Sequence, residues 1–157
     1  MDMQVTAEGL RIEFLEGKGS VFFESGSSVI RPAARALLSK IAPVLISTRR
    51  QVIIEGHTDA QPYGGTGYTN LDLSQDRAKA LFHAMMDDGM PEERVTSVNG
   101  CGASQLRDPK HPLAFSNRRV SILLPLRANG PTTDGLPNEA LKHEIQGAFK
   151  KDLSIAP

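Results

Sequence analysis

Apolar residues recur along this chain in two rhythms. Leu10, Ile12 and Phe14 alternate with Arg11 and Glu13, the period-two pattern of a strand with one buried face. Val120, Ile122 and Leu124 repeat it near the other end, with Ser121 and Leu123 opposite. Val52 and Ile54 lie on one face and Ile53 on the other, so residues 51–55 read as a strand inside its sheet. Residues 94–99 read as a further strand. The second rhythm is helical. Ala34, Leu37, Leu38, Ile41 and Leu45 follow Pro32, a residue suited to a first turn, while Pro43 predicts a kink or a broken last turn. Ala78, Leu81, Phe82 and Met85 form a second stripe, with Asn70 or Ser74 as cap and Gly89 as stop. Gly17 and Gly19 mark a turn before the short apolar piece Val21, Phe22 and Phe23, and residues 100–116 form a long irregular loop.

The order is strand, helix, strand, helix, strand, strand. It predicts an α/β fold, a two-layer sandwich whose mixed sheet has about four strands and helices on one face. Residues 1–126 read as one domain. Residues 127–157 read as a linker, "RANGPTTDGLPNEA" at its start, and an amphipathic C-terminal helix. The Leu141, Ile145 and Phe149 face of that helix has little to cover inside one small domain, and is expected to offer a contact surface for a second copy.

Composition narrows the function. The chain has 157 residues, 39% of them hydrophobic and 23% charged, enough to bury a core. Lys plus Arg and Asp plus Glu are 18 each, so the net charge is zero, which argues against a nucleic-acid partner. Aromatics are 5% with no Trp, so stacking platforms are scarce. The lone Cys101 forms no intrachain disulfide. No run approaches the ~20 apolar residues of a membrane helix. No signal peptide opens the chain, so any anchor or export signal is expected either upstream of Met1 in a longer parent or not at all.

The densest chemistry lies in "IIEGHTDAQPYGGTGYTNLDLSQDRAKAL", residues 53–81. Asp59 sits just past a strand end and Arg77 in the first turns of the next helix, so both can face one cavity. An aspartate attracts an ammonium group, and an arginine fork grips a carboxylate with two parallel bonds. Together they suit a zwitterion, or else they form a structural salt bridge. Arg118 and Arg119 precede the last strand and point to opposite faces, so one can reach the cavity while the other stays in solvent. His57 and Asp59 are competent ligands or acid–base partners. However, the four histidines, 57, 83, 111 and 143, show no metal-binding spacing, and no G-x-S-x-G occurs. Enzyme activity is the weaker reading, and no cofactor is expected.

"GHTDAQPY", "TNLDLSQDRAKAL", "RVTSVNGCG" and "NRRVSILL", in this order and at these gaps over residues 9–126, resemble the OmpA-like peptidoglycan-binding domain. The Asp-Ala-x-Pro-Tyr continuation, the lengthened glycine loop and the "IAPVL" helix end are similar to its flagellar stator branch, the MotB-like proteins. The resemblance implies non-catalytic binding of meso-diaminopimelate in the cell-wall peptide stem. Asp59 would take the amine and Arg77 the carboxylate. Asn70 and one of Arg118 or Arg119 would support the pocket, and backbone amides from Thr58 to Ala60 would line it. It further implies a periplasmic domain of an inner-membrane protein, a homodimer, and a MotA-like channel subunit as partner through a segment outside this sequence. Asn70-Leu71-Asp72-Leu73-Ser74 departs from the Asn-Trp-Glu-Leu-Ser of many stator proteins. The anchor of a type VI secretion machine or a lipoprotein of the same fold is the alternative, and a peptidoglycan hydrolase using His57 and Asp59 is the remote one.

Overall fold

The computed structural model describes residues 1–17, 22–64, 67–126 and 138–153, without the side chains beyond residue 147. Gly19, Val21, Gly65, the linker 127–137 and the Phe149 side chain lie outside the described residues. The elements run β1 (Asp2–Val5), β2 (Gly9–Leu15), α1 (Pro32–Ser47), β3 (Val52–His57), α2 (Asn70–Asp87), β4 (Val95–Gly100), β5 (Arg119–Pro125) and α3 (Asn138–Leu153). The strands form one mixed sheet in the order β1-β2-β5-β3-β4, in which β3 and β4 are parallel and the other pairs antiparallel.

The even-numbered residues of β2, β3 and β5 face the helices. Leu10, Ile12, Phe14, Val52, Ile54, Val120, Ile122 and Leu124 pack there against Leu38, Ile41 and Leu45 of α1 and Ala78, Leu81 and Met85 of α2. This is the predicted two-layer arrangement, with five strands instead of about four. The added strand, β1, is only four residues long and buries one side chain, Met3, too little for a periodic pattern to show. It has a consequence for α3. With β1 in place the sheet extends past α1, and α3 covers the extension: Leu141 and Ile145 are fully buried in the same core. Their side chains are therefore not the free contact surface expected from the sequence. Arg50 ties down the start of α3 by donating to Asn138 Oδ1 and to the Leu124 and Pro125 carbonyls.

α1 runs unbroken through Pro43 to Ser47. An interior proline costs about 3 kcal/mol. Burying Leu38, Ile41 and Leu45 contributes about 1.5–3 kcal/mol each, so packing outweighs it. α2 is capped by Thr69, not by Asn70 or Ser74. The Thr69 hydroxyl accepts from the Asp72 amide, and the Asp72 carboxylate accepts from the Thr69 amide, a capping box. At the other end Gly89, at φ +90°, stops the helix as expected. Two glycines set how closely α2 lies on the sheet. A Cβ on Gly56 would stand 2.0 Å from the Ser74 carbonyl oxygen, and one on Gly100 would stand 2.5 Å from the Gln75 amide. Only bare backbone at the ends of β3 and β4 lets the first turns of α2 come down onto them, and that contact brings Arg77 to the strand end carrying Asp59.

Candidate functional site

Where β3, β5 and the start of α2 meet, a cavity of about 530 Å³ opens, lined by Glu16, Thr58, Asp59, Asn70, Arg77 and Arg118 among others. Strand parity explains three of these. Glu16 follows Phe14, Thr58 follows Gly56, and Arg118 precedes Val120, so each continues the helix-facing series of its strand. The cavity is the end of the core, where the apolar series gives way to charge.

The charges alternate. Asp59 Oδ1 accepts from the Gln61 amide at 3.0 Å, which fixes the turn, and Oδ2 accepts from Arg118 Nη1 at 2.8 Å. Arg118 Nε donates to Glu16 Oε2 at 2.8 Å, and its guanidinium lies 4.5 Å from the Phe115 ring centroid. The other Glu16 oxygen, Oε1, is buried and makes no hydrogen bond among the described residues, standing 3.3 Å from Arg77 Nη2 in an ion-pair contact of poor alignment. Arg77 Nε donates to the Ser27 carbonyl at 2.9 Å, and its guanidinium lies 5.0 Å from the Phe23 ring centroid. Burial pushes the Arg77 pKa down, and the Glu16 charge pulls against that. Asn70 Nδ2 staples the loop by donating to the carbonyls of Gln61, at 2.8 Å, and Asp59, at 3.3 Å. Arg77 is 2% exposed. It forms the cavity wall and packs as a core residue.

Five of the seven candidate residues therefore share one cavity: Asp59, Arg77, Asn70, Thr58 and Arg118. Asp59 and Arg77 are not joined to each other; Arg118 and Glu16 stand between them in the ion-pair series. Arg119 and Ala60 do not line the cavity. Arg119 is not in solvent either. It is buried on the opposite face of the sheet, donating to Glu13 Oε1 at 2.9 Å and to the carbonyls of Asn117 and Gln105, both at 3.1 Å. Residues Gln105 and Arg107, from the loop before β5, fold over that face, so β5 has no wet side. Two of the three amides expected to line the cavity are engaged elsewhere. The Thr58 amide donates to Gly102 O and the Ala60 amide to Pro112 O, both at 2.9 Å, so neither is available to a ligand. The Thr58 hydroxyl, by contrast, is buried without a partner. Glu16 and Phe115 were missed by sequence reasoning. Parity with Phe14 could have found Glu16; nothing local marks Phe115.

His57 does not line the cavity. Its ring is fully buried on the opposite face, with neither nitrogen hydrogen-bonded. Burial, and then the Arg119 charge, push its pKa down against the opposing pull of Glu55. The Glu55 carboxyl is held down to about 2 by His57 and Arg11. At 3.8 Å the imidazole is beyond hydrogen-bond reach, so the Arg11 contact at 2.5 Å is the stronger physical cause. Among the described residues no three His, Cys, Asp or Glu side chains are grouped to hold a metal ion.

The class of protein is thus defined by a mixed sheet with helices on one face and a cavity of alternating acid and base at its strand ends. The chain belongs to the OmpA family, whose sequence pattern matches residues 22–119. It is 35% identical over 126 residues to motility protein B of Escherichia coli, covering 79% of this chain and 41% of that protein. Its fold matches the periplasmic domain of Helicobacter pylori MotB with a TM-score of 0.69 at 18% identity, covering 95% of this chain and 99% of that one. It also matches the cell wall anchor of the type VI secretion system from Pseudomonas aeruginosa, with a TM-score of 0.65 at 24% identity over 80% of this chain and 87% of that one. The domain is thus OmpA-like and MotB-like. It spans about half the length of the curated relatives it matches, between 40% and 59%. Among the described residues no helix is long and apolar enough to cross a membrane.

Proposed function

We propose that this chain binds peptidoglycan without cutting it, taking the free end of a stem-peptide diaminopimelate into the cavity, and so anchors a flagellar stator to the cell wall. One observation carries the reading. The cavity holds a carboxylate, Asp59, and a fork, Arg77, at the two ends of a single series of alternating charges. A zwitterionic amino-acid end presents the complementary pair, its ammonium to Asp59 and its carboxylate to Arg77. Arg118 adds a second cation beside the carboxylate, and Asn70 keeps the Asp59 loop in place. Hydrolysis is disfavoured because its would-be partners are separated: Asp59 faces the cavity and His57 does not. The expected acid–base pair of His57 and Asp59 is therefore not assembled.

The type VI secretion relative, a cell wall anchor, supports the anchoring reading, and the motility relatives favour the stator. On that reading this is the periplasmic part of an inner-membrane protein that works as a homodimer with a MotA-like channel subunit. The test is incubation with purified sacculi. The chain should pellet with them and release no soluble fragments, and a diaminopimelate muropeptide should shift amide resonances around Gly56 to Arg77. A chain that stays in the supernatant, or one that solubilises the sacculi, overturns the reading.

A further inference from the structure

Glu16 lines the cavity together with Asp59, and neither the sequence motifs nor the proposed binding role uses it. Its carboxylate sits between the two guanidinium groups, Oε2 at 2.8 Å from Arg118 Nε and Oε1 at 3.3 Å from Arg77 Nη2. An incoming carboxylate would need that same position. The two contacts are unequal. The Arg118 bond is well formed. The Arg77 contact fails hydrogen-bond geometry and leaves Oε1 buried and unbonded. A buried carboxylate oxygen prefers two or more donors, so this end of Glu16 is poorly satisfied. The backbone beside it is open. Gly17 is exposed, and the Glu16 side chain itself keeps 12% of its surface accessible.

We infer that Glu16 is the domain's own stand-in for the ligand carboxylate. It neutralises Arg77 and Arg118 while the cavity is empty, and it must be displaced from Arg77 for diaminopimelate to enter. The inference rests on the peptidoglycan reading and deepens it. A buried cation beside a half-buried one is repelled by it, and burial first and the Arg118 charge after it push the Arg77 pKa down. An internal anion removes that cost in the empty state. The same anion competes with the ligand, so Glu16 sets the affinity below what the two arginines alone would give. The opposite role, Glu16 as a second acceptor for the ligand ammonium, is disfavoured by position: an ammonium there would lie against two guanidinium groups.

The experiment compares the 157-residue chain with its Glu16→Gln and Glu16→Asp variants. Titration uses a muropeptide ending in meso-diaminopimelate and, as control, one whose diaminopimelate carboxyl is amidated. Glutamine keeps one acceptor oxygen for Arg118 but no charge. Glu16→Gln should lower the melting temperature of the empty domain, bind the muropeptide about tenfold tighter, and show a larger ligand-induced rise in melting temperature. Glu16→Asp, whose shorter stem withdraws the carboxylate from Arg77 while leaving it near Arg118, should tighten binding by less. The amidated control should gain least, because it brings no charge to replace the lost one. Binding unchanged or weakened in both variants, with the wild type binding normally, overturns the stand-in role while the peptidoglycan reading survives. A wild type that binds neither muropeptide defeats that reading and this inference together.

Discussion

Arg118 and Arg119 are neighbours in the chain, and strand geometry sends them to two charged regions that differ in kind. On the face away from the helices, Arg119 uses three nitrogens on Glu13, Asn117 and Gln105. Beside it, Arg107 bridges Glu13 and Asp2 at 2.6 Å each, and Arg11 holds Glu55 at 2.5 Å and Glu8 at 3.0 Å. That network is nearly closed. On the helix side the cavity keeps loose ends: a Glu16 oxygen and the Thr58 hydroxyl are buried without a hydrogen bond. Arg77 has one well-formed bond, to Ser27. On the closed face every arginine is matched to carboxylates or carbonyls, and the unbonded group is the neutral His57 ring. In the cavity the unbonded groups include a charged one, the Glu16 carboxylate, and each orphaned group costs about 1–3 kcal/mol.

The largest effect should come from breaking the closed side. Arg119→Ala leaves the buried Glu13 paired with Arg107 but removes a charge-assisted hydrogen bond and the donors to two carbonyls, a loss of about 1.5–3 kcal/mol. Chemical denaturation should show that loss, while the fraction still folded binds sacculi as the parent does. A stability change under about 1 kcal/mol would mean the two networks are equally expendable.

Arg77→Lys tests the open side. Lysine keeps the charge but loses the fork, so muropeptide affinity should fall at least about tenfold. The structure adds a stability term that a cavity rim would not have. The Ser27 bond and the packing on Phe23 are lost too, lowering stability by about 1 kcal/mol. Calorimetric titration together with thermal melting measures both. Undiminished binding would remove the bidentate role.

Thr58→Val should act in the contrary sense on stability. The hydroxyl makes no hydrogen bond among the described residues, so an isosteric methyl removes an unsatisfied group and stability should hold or rise by up to about 1 kcal/mol. If the hydroxyl meets the ligand, affinity should fall severalfold at the same time. A variant that is destabilised would show that the hydroxyl is bonded after all, and the contrast between the two regions would weaken there.

How much of this was legible in the sequence follows from range. The strands β2, β3 and β5, both main helices and the shared cavity of Asp59 and Arg77 came from periodicity and local order, because each is decided within about ten residues of chain. The split between Arg118 and Arg119 also followed from alternation. What escaped depends on distant partners. Nothing near Arg119 announces that residues 105–107 will cover it, and nothing near Thr58 or Ala60 announces that Gly102 and Pro112 will take their amides. β1 was invisible because a short edge strand with one inward side chain carries no period, and the misjudged face of α3 followed from that omission. The aspartate, the arginine and the asparagine were readable as a motif. Glu16 was hidden because an acid after a strand looks like any solvated strand end.

The smallest effect concerns pH and the one titratable loose end on the closed side. His57 is fully buried with no hydrogen bond on its ring, beside Glu55 of its own strand and facing Arg119 of β5 and Arg11 of β2. Its folded pKa is lowered from 6.5, chiefly by burial and then by Arg119. Above pH 6.5 the imidazole is neutral in both folded and unfolded chains and pH has no leverage through it. Below that, the unfolded chain takes up a proton that the folded chain resists, so stability falls as pH drops from 6.5 toward the depressed folded value. Glu55, held down to about 2, has the same sign, with its contribution present above its ordinary 4.5 and lost only in stronger acid, so the windows separate. Melting temperatures taken at intervals between pH 7.5 and 5 should fall in the parent chain and stay flatter in His57→Asn. Equal slopes in the two would locate the acid sensitivity elsewhere. Binding measured in the same window should track the folded fraction alone, because His57 lies outside the cavity; a steeper loss of binding than of folding would join the two regions that the structure keeps apart.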